Sequence, residues 1–303
     1  MTRMTIKTLI TTVFALLAFA GNSVLCRLAL GEGQIDATSF TIIRLMSGAV
    51  VFVIILALSG RDDINAICTL KQAFKAISQR WLGAMMLLLY ATGFSFAYVQ
   101  LSTGVGALVL FGMVQLTMIG VSIYKQEYLP WLHIVGVFIA FCGLFLLVYS
   151  QLVGEDVILS IFGLICMSIA GIAWGVYTLL GRGSSAPFLD TGSNFILSAV
   201  FCIPLLLIYL LMPAVLSAQG VGLAVVSGVV TSMLGYAIWY VALPNLSRVQ
   251  AGAVQLMVPV IAAFGGLIWV SEAITLPLLI AQAMVLGGIA MVMIKVKVVP
   301  QKN

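Results

Sequence analysis

Few residues of this chain have the chemistry to bind or transform a small molecule, and most of those stand inside long apolar runs. Arg44 lies in "FTIIRLMSG", Asn22 in "FAGNSVLCR", Gln115 in "LFGMVQLTMIG" and Gln255 in "QLMVPVIAAFGG". A guanidinium presents a planar fork of donors that fits a carboxylate, and a side-chain amide donates and accepts at once. Aromatic residues occur in similar settings: Tyr90 in "LLLYATGFSFAY", Trp174 and Tyr177 in "AGIAWGVY", and Tyr236, Trp239 and Tyr240 in "LGYAIWY". Each has a plainer reading beside the functional one. Arg44 snorkels outward or pairs with Asp36, roughly two turns earlier, and the amides bridge helices. The aromatics pack the interior or form an interfacial belt, which suits Tyr98, Tyr124 and Trp131 near the ends of their runs.

Catalysis by side chains has little to work with. Membrane-embedded hydrolysis or transfer needs a nucleophile with a base, or a metal, and the chain has no H-E-x-x-H, no G-x-S-x-G and no paired carboxylates in its apolar runs. Cys26, Cys142, Cys166 and Cys202 fall in those runs and Cys68 in a polar segment, without the Cys/His spacing of a metal site. Direct use of ATP would need a G-x-x-x-x-G-K-[ST] loop, which is absent. We therefore assign no catalytic residue, no metal ligand and no cofactor. An enzyme acting on lipid or peptide substrates remains the alternative reading.

The elements that hold these residues follow from composition. Of 303 residues, 63% are hydrophobic and 8% charged, against about 25% charged in soluble domains. Apolar runs of about twenty residues, the length that crosses a bilayer core as a helix, recur along almost the whole chain. They predict an all-α polytopic membrane protein with ten transmembrane helices, near 8–28, 40–59, 81–100, 104–124, 130–149, 157–180, 191–212, 220–242, 247–270 and 276–295. With both termini cytoplasmic, twelve of the fourteen Lys and Arg fall on one side, Arg27 and Arg44 being the exceptions. The net charge of +5 thus reports topology, and no nucleic-acid partner is expected. The polar segment 61–80 reads as a solvated loop or as an amphipathic helix on the inner leaflet.

A displaced self-similarity organises the spans. Shifting by 145 residues brings Leu101-Ser102 onto Leu246-Ser247, Glu127 onto Glu272 and Gly143 onto Gly288; a shift of 155 brings Phe19 onto Trp174 and Arg27 onto Arg182. The matches divide the chain into halves 1–150 and 151–303 with five spans each. Five is odd, so the halves enter the membrane in opposite senses, an arrangement of secondary transporters whose substrate site lies between them. The same pairing argues that Ala18-Phe19-Ala20 is not a signal-peptide cleavage site and that the first helix is retained. Glu127 and Glu272, at helix ends, read as structural, and His133 as a boundary residue. Gly136-x-x-x-Ala140 and Ala283-x-x-x-Gly287 permit close helix contact, within the chain or in a homodimer.

In register, the "AGN" followed by a basic residue in span 1, Arg44 in "FTIIRL" of span 2, "AWG" in span 6 and a Glu closing spans 4 and 9 resemble the EamA-type exporters of the drug/metabolite transporter superfamily. Phe19-Ala20 stands where that family often has Trp-Gly, and Gln115 where it often has a Pro. The resemblance implies a secondary carrier in the bacterial inner membrane that exports small metabolites, such as amino acids or amphiphilic compounds, by alternating access. The candidate cavity residues are Asn22, Arg44, Tyr90, Gln115, Trp174, Tyr177 and Gln255. A carrier of phosphorylated metabolites is a further alternative, disfavoured because Arg44 is the one cation placed to face the midplane. The expected partners are a small-molecule substrate and the lipid bilayer.

Overall fold

The computed structural model describes residues 6–58, 70–126, 130–153, 160–209, 214–273 and 275–294. Among these the structure is helical, with one isolated bridge between Ile35 and Leu216. Six single helices come first: α1 (Ile6–Gly31), α2 (Ala37–Leu58), α3 (Leu70–Tyr98), α4 (Thr103–Tyr124), α5 (Trp131–Val153) and α6 (Ile161–Gly181). The seventh rod is divided into α7 (Pro187–Phe201) and α8 (Ile203–Tyr209). The eighth runs through α9 (Ala218–Val226), a π-helical stretch (Ser227–Leu234) and α10 (Gly235–Ala242). The ninth comprises α11 (Arg248–Gln255) and α12 (Met257–Trp269), and the tenth is α13 (Leu276–Met293). Seven rods are long and apolar enough to cross a membrane, and rods five and ten hold the shorter apolar stretches Trp131–Gly143 and Leu279–Val292. The chain is a polytopic all-α membrane protein.

Local chemistry explains where rods start and break. Ser160, Ser217 and Ser247 each accept a backbone N–H three residues on, and Ser247 with Gln250 forms a full capping box. The expected unbroken span 191–212 is broken at Cys202, because Pro204 has no N–H for the carbonyl one turn back. Pro259 does the same to the carbonyl of Gln255, and the ninth rod divides at Leu256. Residues 70–80 are continuous with α3 rather than a separate surface helix. The rest of the 61–80 segment lies outside the described residues, as does Glu127.

Rod packing has a twofold pattern. Rod 3 lies on rod 6 as rod 8 lies on rod 1; rod 4 contacts rod 6 as rod 9 contacts rod 1; and rod 3 touches rod 7 as rod 8 touches rod 2. Rods 2 and 7, 4 and 9, and 5 and 10 pack as pairs. In the last pair, a Cβ on Gly136 would stand 2.6 Å from the Gly288 carbonyl oxygen, so two helix backbones meet there. Gly136 and Ala140 pack within the chain against Gly288, while Ala283 and Gly287 are exposed. Tyr98 is not a belt residue. It is fully buried with its ring 4.7 Å from that of Phe94, whereas Tyr124 and Trp131 are exposed.

Candidate substrate site

Arg44 lies on the face of α2 turned toward α3 and the π-helical stretch, and its side chain is 0% exposed. The backbones approach closely here. A Cβ on Gly228 would collide with the Arg44 carbonyl, and one on Gly48 would reach the Phe195 ring at 2.5 Å. Arg44 Nε donates to Ser232 Oγ at 2.9 Å, and Nη2 donates to Tyr236 Oη at 2.5 Å and Tyr90 Oη at 3.3 Å. Nη1 has no hydrogen-bond partner among the described residues. The guanidinium carbon sits 5.2 Å from the Tyr90 ring centre and 5.1 Å from that of Phe94, so two aromatic faces share in stabilising the charge. Pairing with Asp36 does not occur. Asp36 accepts from the backbone N–H and hydroxyl of Ser39 and so caps the start of α2.

Asn22 joins the same network from α1. Its Nδ2 donates to Tyr90 Oη at 3.2 Å, while its Oδ1 accepts from Ser227 Oγ at 2.6 Å and Thr231 Oγ1 at 3.2 Å. Tyr236 Oη in turn donates to Tyr90 Oη at 3.1 Å. The polar network therefore ties α1, α2 and α3 to the eighth rod. A π-helical turn widens the backbone and often marks a functional position; here Ser227, Thr231 and Ser232 all come from it.

Aromatic rings wrap the network. The Trp174 ring centre is 4.5 Å from that of Tyr236, 4.9 Å from Tyr90, 5.2 Å from Phe19 and 5.4 Å from Tyr177. Phe19 and Trp174, superposed by the 155-residue shift, thus touch at the centre of the molecule. Trp174 Nε1 donates to Gln255 Oε1 at 2.7 Å, and Gln255 Nε2 donates to the Ala251 carbonyl at 2.9 Å. Tyr177 Oη accepts from Asn194 Nδ2 at 3.5 Å.

Six of the seven candidates thus fall in one connected cluster, and Gln115 stands apart from it. Gln115 is fully buried against Gly252, and neither its Oε1 nor its Nε2 has a hydrogen-bond partner among the described residues. The two amides that looked comparable by position therefore differ. All seven candidates are at most 4% exposed, so the expected cavity is closed in this state by the side chains that would line it. Sequence reasoning passed over Ser227, Thr231 and Ser232 and left Tyr236 among the general aromatics. One signal was present: Ser227 and Thr231, like Ser232 and Tyr236, lie four residues apart, one turn along an otherwise apolar run.

Residues 161–294 match the model for the EamA-like transporter family. An uncharacterized protein of Pseudomonas aeruginosa is 42% identical over 289 residues, spanning 95% of this chain and 94% of the relative. An uncharacterized transporter of Archaeoglobus fulgidus is 25% identical over 222 residues, 71% of this chain and 76% of its own. A protein of known crystal structure superposes with a TM-score of 0.66 at 17% identity, covering 93% of this chain and 97% of the other. At that identity the likeness concerns the fold alone.

Proposed function

This chain belongs to the EamA-like transporter family, and on that footing we propose that it is an inner-membrane secondary transporter that exports small metabolites by alternating access. Amino acids and amphiphilic compounds are the substrate classes considered. The observation that carries this reading is the buried Arg44 with its Asn22–Tyr90–Tyr236–Ser232 network, placed between the first three rods and the eighth. A charge in the interior of a membrane bundle is costly and typically serves a substrate or ion path. The exchange of rod contacts between residues 1–150 and 151–303 supports two inverted five-helix repeats rocking about that centre. The distribution of Lys and Arg supports cytoplasmic termini.

Purified protein in proteoliposomes tests the proposal. Flux of at least one member of a panel of amino acids, nucleosides and amphiphilic metabolites, reduced by Arg44→Ala, is the expected result. Absence of flux across the panel, with and without an imposed ion gradient, counts against it.

A further inference from the structure

Resting on the transporter reading above, we propose that the substrate held at Arg44 is an organic monocarboxylate with an apolar body and no ammonium group. The charge balance of the cluster points there. Arg44 is completely buried, and its hydrogen-bond partners are the Ser232, Tyr236 and Tyr90 hydroxyls, whereas Arg27 stands against the Glu272 carboxylate. The groups bonded to the Arg44 guanidinium are hydroxyls and the rings against it are Tyr90 and Phe94, none of them a carboxylate. A buried cation held only by neutral dipoles is completed by a ligand with one negative charge. A phosphate dianion would overshoot it.

The donor geometry agrees. Nη1 is unpartnered and lies beside Nη2, whose present acceptors are the Tyr236 and Tyr90 hydroxyls. A carboxylate accepting from Nη1 and Nη2 in parallel displaces the Tyr236 hydroxyl from Nη2, and that hydroxyl reaches the ligand as a donor by turning its proton away from Tyr90 Oη. The amide acceptors close to Arg44 are engaged, and the open Asn194 Oδ1 lies further out, on the residue bonded to Tyr177. Asn22 Oδ1 already accepts from Ser227 and Thr231, Gln255 Oε1 already accepts from Trp174, and the Tyr90 and Phe94 faces already serve Arg44. What surrounds Tyr236, the acceptor of the fork, is aromatic: Phe19, Trp174, Tyr177 and Phe195 accept an apolar body.

The test uses full-length protein in nanodiscs and probes sharing one body: 3-phenylpropionate, phenylalanine, 2-phenylethylamine and phenethyl phosphate, with hexanoate and hexylamine as an alkyl pair. Binding is read by calorimetry and thermal shift. The carboxylates are expected to bind at least roughly tenfold tighter than the amine, phosphate and amino-acid analogues, and Arg44→Gln to weaken them by roughly tenfold or more. Tyr236→Phe, which keeps the ring contacts, is expected to weaken the carboxylates. Arg44-dependent binding of phenylalanine or of the phosphate equal to or tighter than that of the carboxylate overturns the proposed class while upholding the site. Failure of both carboxylates to bind overturns the proposed class. Binding indifferent to Arg44→Gln, in a variant with parental melting behaviour, overturns the site itself.

Discussion

Two arginines depart from the one-sided distribution of positive charge expected from the sequence, and the protein treats them in opposite ways. Arg27 stands 3.5 Å from the Glu272 carboxylate and donates through Nη1 to the Tyr98 carbonyl at 3.1 Å, with 23% of its side chain exposed. Glu272 also receives the Thr103 N–H at 2.9 Å and thereby caps α4. This arginine is balanced, half-solvated and bound to backbone, which is how a charge fastens helix ends together. Among the described residues the partners of the buried Arg44 guanidinium are hydroxyls and ring faces. On the proposal above, the contrast separates a cation that fastens helix ends from one kept for a ligand.

Arg44→Met gives the sharpest contrast. It should abolish Arg44-dependent ligand stabilisation, a loss of roughly tenfold or more in affinity, while the unliganded protein melts no lower, because a buried charge without an acid is replaced by an apolar chain. A clear fall in unliganded stability would make Arg44 structural and dissolve the distinction. Gly228→Ala probes the close approach that positions Arg44. The new methyl meets the Arg44 carbonyl, and overpacking of this kind costs about 1–3 kcal/mol, measurable as reduced thermal stability with weakened binding.

Arg27→Met should behave the other way. The pair is part-exposed, so the loss is about 1 kcal/mol or less, seen as a small drop in melting temperature with ligand affinity unchanged. Strong loss of binding in that variant would mean that the end knot and the centre are coupled. The smallest effect is expected at Gln115→Leu. An amide with neither atom hydrogen-bonded costs about 1–3 kcal/mol to bury, so the apolar replacement should be neutral or slightly stabilising in the same melting assay.

Much of the architecture was legible. Apolar run length marks membrane helices because the bilayer sets it, and Phe19 and Trp174, aligned by repeat spacing, meet in the structure. The breaks at Cys202 and Leu256 were harder to read, since proline is tolerated in membrane helices and only the local backbone shows whether it kinks or divides one. Asn22, Arg44 and Tyr90 could be singled out because polar groups in an apolar run are conspicuous. Their common partners on the eighth rod could not: Ser and Thr satisfy their hydroxyls on their own helix in many settings, as Thr231 also does toward the Ser227 carbonyl.

The sequence alone determined that this chain crosses the membrane repeatedly and that Arg44, inside an apolar run, needs an explanation. These follow from transfer free energies of individual residues and from helix length, which are local quantities. Tertiary structure decided which explanation holds. Whether an arginine meets an acid, a carbonyl or a ring of hydroxyls depends on residues up to 192 positions away, as Tyr236 is from Arg44. Only the packing of the eighth rod against α1 and α2 brings them within reach.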